Sequence, residues 1–273
     1  MMLINGVAST QLDARDRGLH YGDGVFTTLR VRADEAVLWP QHAARLQAGC
    51  ERLRIAPLDL RQLRAEVEQV CAGAARGVLK IIITRGIGGR GYAPPRNSVP
   101  TRIVALYPWP DFPDKNWSEG VAVRVNSMRL VGNPSLAGIK HLNRLEQVLA
   151  RAEWDDAAIA EGLMLDEHDQ VIEATAANVF AVRDGAVLTP KLHSCGVAGV
   201  MRAEVMALAH AAGLPVRECS LRLDDVRHAD EIFITNSVIG VWPVREVDIL
   251  AKPIGPITRR IVALLEQSHP AYA

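Results

Sequence analysis

Apolar residues along this chain follow two different periods. In QHAARLQAGCERL, Leu46, Cys50 and Leu53 recur at helical spacing. DLRQLRAEVEQVCAGA, GVMRAEVMALAHAAG and PITRRIVALLEQ also read as helices, with Asp59 as an N-cap and a stop near Gly213. The runs MLINGV, GVFTTLRV, AVLW, VLKIIITR, RIVALYP, GVAVRVNSMRL, GLMLDE, QVIEA, NVFAVR, AVLTP and EIFITN are short, apolar and strand-like. Polar turns at Ala33-Asp34-Glu35, Glu167-His168-Asp169 and Arg183-Asp184-Gly185 separate neighbouring runs as in hairpins. Strands come in clusters with helices between the clusters, which predicts an α+β fold with largely antiparallel sheets. The proline- and charge-rich stretch PWPDFPDKNWSEG reads as a linker over 109–119. It divides a smaller N-terminal α+β domain at 1–108 from a larger C-terminal domain at 120–273. In GIKHLNRLEQVLA the spacing predicts a helix directly after Lys140, with Leu142, Leu145, Val148 and Leu149 on one side.

Composition narrows the function. The 273 residues are 49% hydrophobic with a formal net charge of zero, enough for a large core and without the basic excess of a nucleic-acid or membrane-surface protein. No apolar run approaches transmembrane length, and MMLINGVAST lacks the basic and apolar regions of a signal peptide, so the cytoplasm is expected. Cys50, Cys71, Cys195 and Cys219 are widely spaced and are expected to be reduced, partly buried thiols. Neither they nor the eight histidines show metal-ligand spacing, so no metal is expected.

RGIGGRGY carries G-x-G-x-x-G at Gly86, Gly88 and Gly91. A dinucleotide fingerprint needs those glycines to open a helix, but Pro94 and Pro95 follow at once, so the segment is a loop. There is no G-K-[ST] after it, which excludes a P-loop. Two readings of the loop stand: Arg85 and Arg90 wrap a small anion, or the loop is a solvated hairpin tip.

The basic residues are mostly arginine; the lysines are Lys80, Lys115, Lys140, Lys191 and Lys252. Arginine stays charged and is a poor nucleophile, whereas a lysine among Ala137, Gly138 and Ile139 can be desolvated toward its neutral, reactive form. A snorkelling lysine at a helix start is the plain alternative, though a cation there opposes the macrodipole.

Four stretches, in this order and spacing, resemble the fold-type IV family of pyridoxal-5′-phosphate (PLP) enzymes: YGDGVFTTLRV at 21–31, HAARL at 42–46, GIKHLNRLEQ at 138–147 and VIEATAANVF at 171–180. That family holds branched-chain and D-amino-acid aminotransferases and a carbon–oxygen lyase. RGIGGRGY and NPSLAGIKHLNRLEQVLAR resemble the lyase branch. The resemblance implies a two-domain α+β fold with PLP in the interdomain cleft, and a homodimer. It makes Lys140 the lysine that bonds the cofactor and moves a proton. It makes Glu173 the acid facing the pyridine nitrogen, although a strand-end glutamate is ordinarily a surface residue. Arg45, otherwise a solvated helix-face arginine, becomes a phosphate ligand. The N–H groups opening the helix at Gly199-Val200-Met201 join it, as does the loop Thr235-Asn236-Ser237 through Asn236 and Ser237. Thr28 matches a threonine of the lyases where the branched-chain enzymes have glycine, and implies a proton relay; a β-branched strand residue is its plain reading. Arg90 and Tyr92 are implied near the substrate carboxylates. Asn143 and Arg144, three and four residues past Lys140, are expected beside it on the helix. Aminotransferases of the family often carry tyrosine at the positions of Phe26 or Leu145, and their lack favours a lyase over a transaminase. A non-catalytic ligand-binding relative would be expected to have lost Lys140 or Glu173, and both are present.

Overall fold

A computed structural model describes residues 1–273. The chain forms two compact units: residues 1–110 with 139–143, and residues 111–138 with 144–273. The short segment around Lys140 therefore packs with the first unit although it lies far along the chain.

The first unit runs β1 (Met2–Ile4), β2 (Val7–Ala8), α1 (Arg17–Tyr21), β3 (Gly24–Arg32), β4 (Glu35–Ala36), α2 (Trp39–Arg52), α3 (Leu60–Cys71), β5 (Arg76–Thr84) and β6 (Thr101–Tyr107). Its six-stranded sheet has the order β2-β1-β6-β5-β3-β4 and every neighbouring pair is antiparallel. The β3–β4 turn places Ala33 and Asp34 at φ 48° and 67°, the conformation that two-residue hairpins require. AVLW is only briefly a strand: β4 stops at Ala36 and Trp39 opens α2. Asp59 caps α3 by accepting from the N–H groups of Arg61 and Gln62. One sheet face is dry. Val25, Leu29 and Val31 of β3 and Leu79, Ile81 and Ile83 of β5 pack there against Leu46, Leu63 and Val67 of the helices.

The second unit runs α4 (Lys115–Ser118), β7 (Val121–Leu130), α5 (Leu145–Arg151), β8 (Ile159–Asp166), β9 (Val171–Ala174), β10 (Asn178–Arg183), β11 (Ala186–Pro190), α6 (Val200–Ala211), β12 (Val216–Cys219), α7 (Leu223–Arg227), β13 (Glu231–Asn236), β14 (Gly240–Val247), β15 (Leu250–Ala251) and α8 (Pro256–Ser268). Its sheet has the order β12-β11-β10-β13-β14-β7-β8-β9, with β15 on β14. Most pairings are antiparallel, but β11–β12, β14–β7 and β7–β8 are parallel. The α+β class with mainly antiparallel sheets therefore holds, with a mixed second sheet. β14 is the main element that the apolar pattern did not yield.

The stretch 109–119 is anchored at both ends. Trp109 lies under the guanidinium groups of Arg30 and Arg76, 4.8 and 3.8 Å from its ring centre. Phe112, Trp117 and Trp242 meet edge to face in the second unit.

The segment after Lys140 differs from the expectation. Residues 140–144 are not helical and α5 starts at Leu145. Lys140 is thus not at a helix N-terminus, and the macrodipole argument does not apply to it. Helical spacing does not bring Asn143 or Arg144 to it either. The apolar side of α5 is not a core face: Leu145, Val148 and Leu149 are 69%, 61% and 50% exposed.

Candidate active site

In the first unit the site is built on β3. Alternation sends Val25, Leu29 and Val31 into the core, so Phe26 and Thr28 project from the other face. Residues 139–142 run beside the start of this strand. The Phe26 N–H donates to the Lys140 carbonyl at 2.9 Å, the Leu142 N–H to the Gly24 carbonyl at 3.0 Å, and His141 pairs with Val25. Ile139 is buried in the core below. Gly24 permits this approach: a Cβ there would lie 2.4 Å from the Ile83 carbonyl and 2.8 Å from Leu142 Cδ1. With its backbone held, half-buried Lys140 carries Nζ 4.6 Å from the Phe26 ring centre. Lys80, register partner of Thr28, lies 5.3 Å from the same ring.

Thr27 is the polar member of the core-facing row. Its hydroxyl lies 2.6 Å from Nδ1 of the fully enclosed His42, and it accepts from Arg45 Nη2. Arg45 Nε is buried without a hydrogen-bond partner. Burial alone pulls the Arg45 pKa down to about 10, with no carboxylate offsetting it. Burial, then the positive Arg45 and Lys140, hold the His42 pKa well below 6.5.

The Gly-rich segment is a loop between β5 and β6, as expected. Arg85 does not take the anion-wrapping part expected of it, while the tip of the loop is exposed as in a solvated hairpin. Arg85 is buried, gives Nε and Nη2 to Asp23 at 2.8 and 3.0 Å, and bonds the Leu53 and Arg54 carbonyls that end α2. Asp23 also takes Arg17 Nε at 2.8 Å. Burial would raise the Asp23 carboxyl, but Arg85 and Arg17 outweigh it and hold it below the usual range. The far end of Arg17 bonds the Gly91 and Tyr92 carbonyls at 3.0 and 3.1 Å. The loop is thereby tied at Arg17 while the side chains of Arg90 and Tyr92 stay exposed. Asn143 donates to the Gly22 carbonyl at 3.2 Å and so latches the end of α1.

In the second unit Glu173, on β9, is buried and accepts from the Val197 N–H at 2.8 Å and from Gln147 at 3.4 Å. The Val197 carbonyl accepts from Asn178 Nδ2 at 2.8 Å. Asn178 fills the space beside Gly199, where a Cβ would lie 2.0 Å from its Oδ1. Asn178 also pairs in register with Thr235 on β13. Glu173, the opening of α6 and the loop at 235–237 are thus gathered around one asparagine. The α6 N-cap, Gly199, offers no side-chain acceptor to the first-turn N–H groups of Val200 and Met201. The Asn236 side chain is spent locally: its oxygen accepts from Val238 and Ile239, and its nitrogen donates to Ala176. Ser237 is buried. Glu161 steadies the following turn by accepting from Thr175 and the Ala176 N–H; burial pushes its pKa up. An open cleft of about 620 Å³ is lined by Gly138, Ala198, Lys191, His193, Arg202 and Glu218.

His42, Thr27, Gln147 and Asn178 are the site residues that the sequence reading passed over. Only His42 had a visible signal, standing three residues before Arg45 on one helix face.

A half-buried lysine, a half-buried arginine without a counter-ion and an uncapped helix start are groups that suit an enzyme binding a phosphorylated cofactor and working on amines. The chain belongs to the amino-transferase class IV family, which it matches over residues 24–247. Enzymes of this family use PLP. The crystal structure of 4-amino-4-deoxychorismate lyase from Pseudomonas aeruginosa is 47% identical, with TM-score 0.95 over 98% of this chain and 99% of that one. An aminodeoxychorismate lyase of Vibrio harveyi is 37% identical over 96% of this chain and 98% of its own. The Escherichia coli branched-chain amino acid aminotransferase is 26% identical, with TM-score 0.86 over 95% and 91%.

Proposed function

We propose that this enzyme is a PLP-dependent lyase that converts 4-amino-4-deoxychorismate to 4-aminobenzoate and pyruvate, a step toward folate. The observation that carries this reading is the shared face of β3. Thr28 projects beside Phe26, whose ring bears the Lys140 amine 4.6 Å from its centre. An amine that moves a proton and a hydroxyl that relays one are what the elimination needs.

Arg45, the N–H groups of Val200 and Met201, and the loop carrying Asn236 and Ser237 would hold the cofactor phosphate. An arginine without a counter-ion fits a phosphate. Glu173 would keep the pyridine nitrogen protonated, and Lys140 would be the amine that holds the cofactor covalently. When bound, PLP supplies the electron sink for the charge left at the amine-bearing carbon. Lys140 removes the proton from that carbon. Thr28 passes a proton to the departing enolpyruvyl group, and the ring becomes aromatic. Arg90, Tyr92 and Asn143 are assigned to substrate binding.

We further propose a cytoplasmic homodimer. The buried or half-buried free thiols suit a reducing compartment. No helix is long and apolar enough to cross a membrane. The exposed Leu145, Val148 and Leu149 on α5 offer a second copy an apolar contact. Light scattering of wild type and Val148→Glu tests the dimer.

The deciding assay supplies 4-amino-4-deoxychorismate without any keto acid and follows 4-aminobenzoate and pyruvate together. Stoichiometric release of both is expected. A strict need for a keto-acid acceptor would instead make the enzyme a D-amino-acid or branched-chain transaminase. Borohydride reduction of the holoenzyme followed by peptide mapping is expected to mark Lys140; a mark on Lys80 would overturn its role.

A further inference from the structure

Thr27 stands where packing alone would favour valine. Its neighbours in the row, Val25, Leu29 and Val31, are buried and apolar, and Thr27 itself has no exposed surface. A buried hydroxyl is costly unless it is hydrogen-bonded. Thr27 spends its hydroxyl on two groups from one turn of α2, His42 and Arg45.

The proton inventory of this trio is constrained. Arg45 Nη2 only donates; it gives a proton to Thr27 Oγ1 and lies 3.4 Å from His42 Nδ1. A proton on Nδ1 would therefore point into the reach of the Arg45 N–H. With Nδ1 bare, every contact pairs a donor with an acceptor. Arg45 donates to Thr27, Thr27 donates to His42 Nδ1, and the ring proton sits on Nε2, which finds no partner in the chain.

We infer that His42 is a positioning residue: as the neutral Nε2–H tautomer it orients the Thr27 hydroxyl, and through it aims the Arg45 guanidinium at an anionic group. Thr27 is stiff at χ1 and sits mid-strand, so it makes a rigid post for a long side chain. Fixing that side chain before binding removes an ordering cost from the bound state. The charged groups facing His42 reinforce the neutral form. Arg45 on α2 and Lys140 on the neighbouring segment are both positive and both oppose its protonation. That the anion is the cofactor phosphate rests on the reading of Arg45 given above; the tautomer does not.

Two measurements test this. Nitrogen-15 NMR of histidine-labelled protein, with and without PLP, is expected to show His42 protonated on Nε2 alone at neutral pH and still neutral at about pH 6.5, where a free imidazole is half charged. A cationic or Nδ1-protonated ring at neutral pH overturns the inference. Titration of apoprotein with PLP is expected to show about tenfold weaker binding for Thr27→Val, and binding within about threefold of wild type for Thr27→Ser, which keeps the hydroxyl. His42→Phe is expected to fall between them. If Arg45→Met weakens PLP binding and Thr27→Val does not, the positioning role is wrong. If Arg45→Met leaves PLP binding unchanged, the phosphate reading of Arg45 fails, and the anion part of this inference fails with it.

Discussion

Phe26 and Lys140 are joined twice: the Phe26 N–H donates to the Lys140 carbonyl at 2.9 Å, and Lys140 Nζ lies 4.6 Å from the Phe26 ring centre. The first contact fixes the lysine backbone and the second gives its flexible side chain a resting place. Phe26→Leu keeps the backbone bond and removes the ring. We expect kcat to fall about tenfold through loss of alignment, with the melting temperature little changed. Steady-state kinetics beside a thermal melt checks it, and equal losses in kcat and stability would refute the alignment argument.

Asp23 is a second junction. It binds Arg85 and Arg17, and those arginines hold the end of α2 and the Gly-rich loop. Asp23→Asn leaves two poorly solvated guanidinium groups without their carboxylate, and should cost about 3–5 kcal/mol. The pH dependence has a defined sign. The folded carboxyl is held below its ordinary 3.8, so its contribution is complete above that value and is lost as pH falls through the folded one. Urea melts should show wild type losing stability faster than Asp23→Asn below about pH 4.

The two halves of this junction differ in how far they could be read in advance. RGIGGRGY declares a loop, because glycines and prolines constrain backbone locally. That Arg85 turns inward is set by Asp23 and by the α2 carbonyls, all more than 30 residues away. Lys140 shows the same division. Its identity is legible, since among arginines a lysine is a chemical choice. Its setting is not: the helical spacing of Leu142 and Leu145 suggested a helix, but pairing of 139–142 with β3 keeps that segment extended. β14 was hidden by Pro243, a residue that ordinarily argues against an interior strand; it lies just before the part of β14 that pairs with β7. Asn178 looked like a strand residue in ATAANVF, and its service to Val197 and Gly199 exists only in three dimensions.

His42 makes a further pH prediction. Its folded pKa lies well below 6.5, so between the two values the unfolded chain takes up a proton that the folded chain refuses. Stability contributed by this site is therefore greatest above pH 6.5 and declines as pH falls, by up to about 1.4 kcal/mol per pH unit. The stability difference between wild type and His42→Phe should be flat above pH 7 and shrink as pH falls below 6.5. Chemical denaturation at three pH values reads it directly, and a difference constant from pH 5 to 8 contradicts a neutral, enclosed histidine.

Gly199 and Asn178 make one packing unit at the start of α6. Gly199 has an ordinary φ of −68°, so its backbone would accept alanine; what excludes a side chain is Asn178 Oδ1, 2.0 Å from the Cβ position. Asn178 cannot retreat freely, because its Nδ2 holds the Val197 carbonyl, and the N–H of that same residue binds Glu173. Gly199→Ala should therefore cost about 1–3 kcal/mol by overpacking, and weaken PLP binding by displacing the N–H groups of Val200 and Met201. Asn178→Ala removes the obstacle but frees a buried carbonyl, at about 1–3 kcal/mol. The double variant makes room for the new methyl group, so its loss should be smaller than the sum of the single losses by about 1 kcal/mol or more. Additive losses in a double-mutant cycle would show that the glycine is required for some reason other than this asparagine.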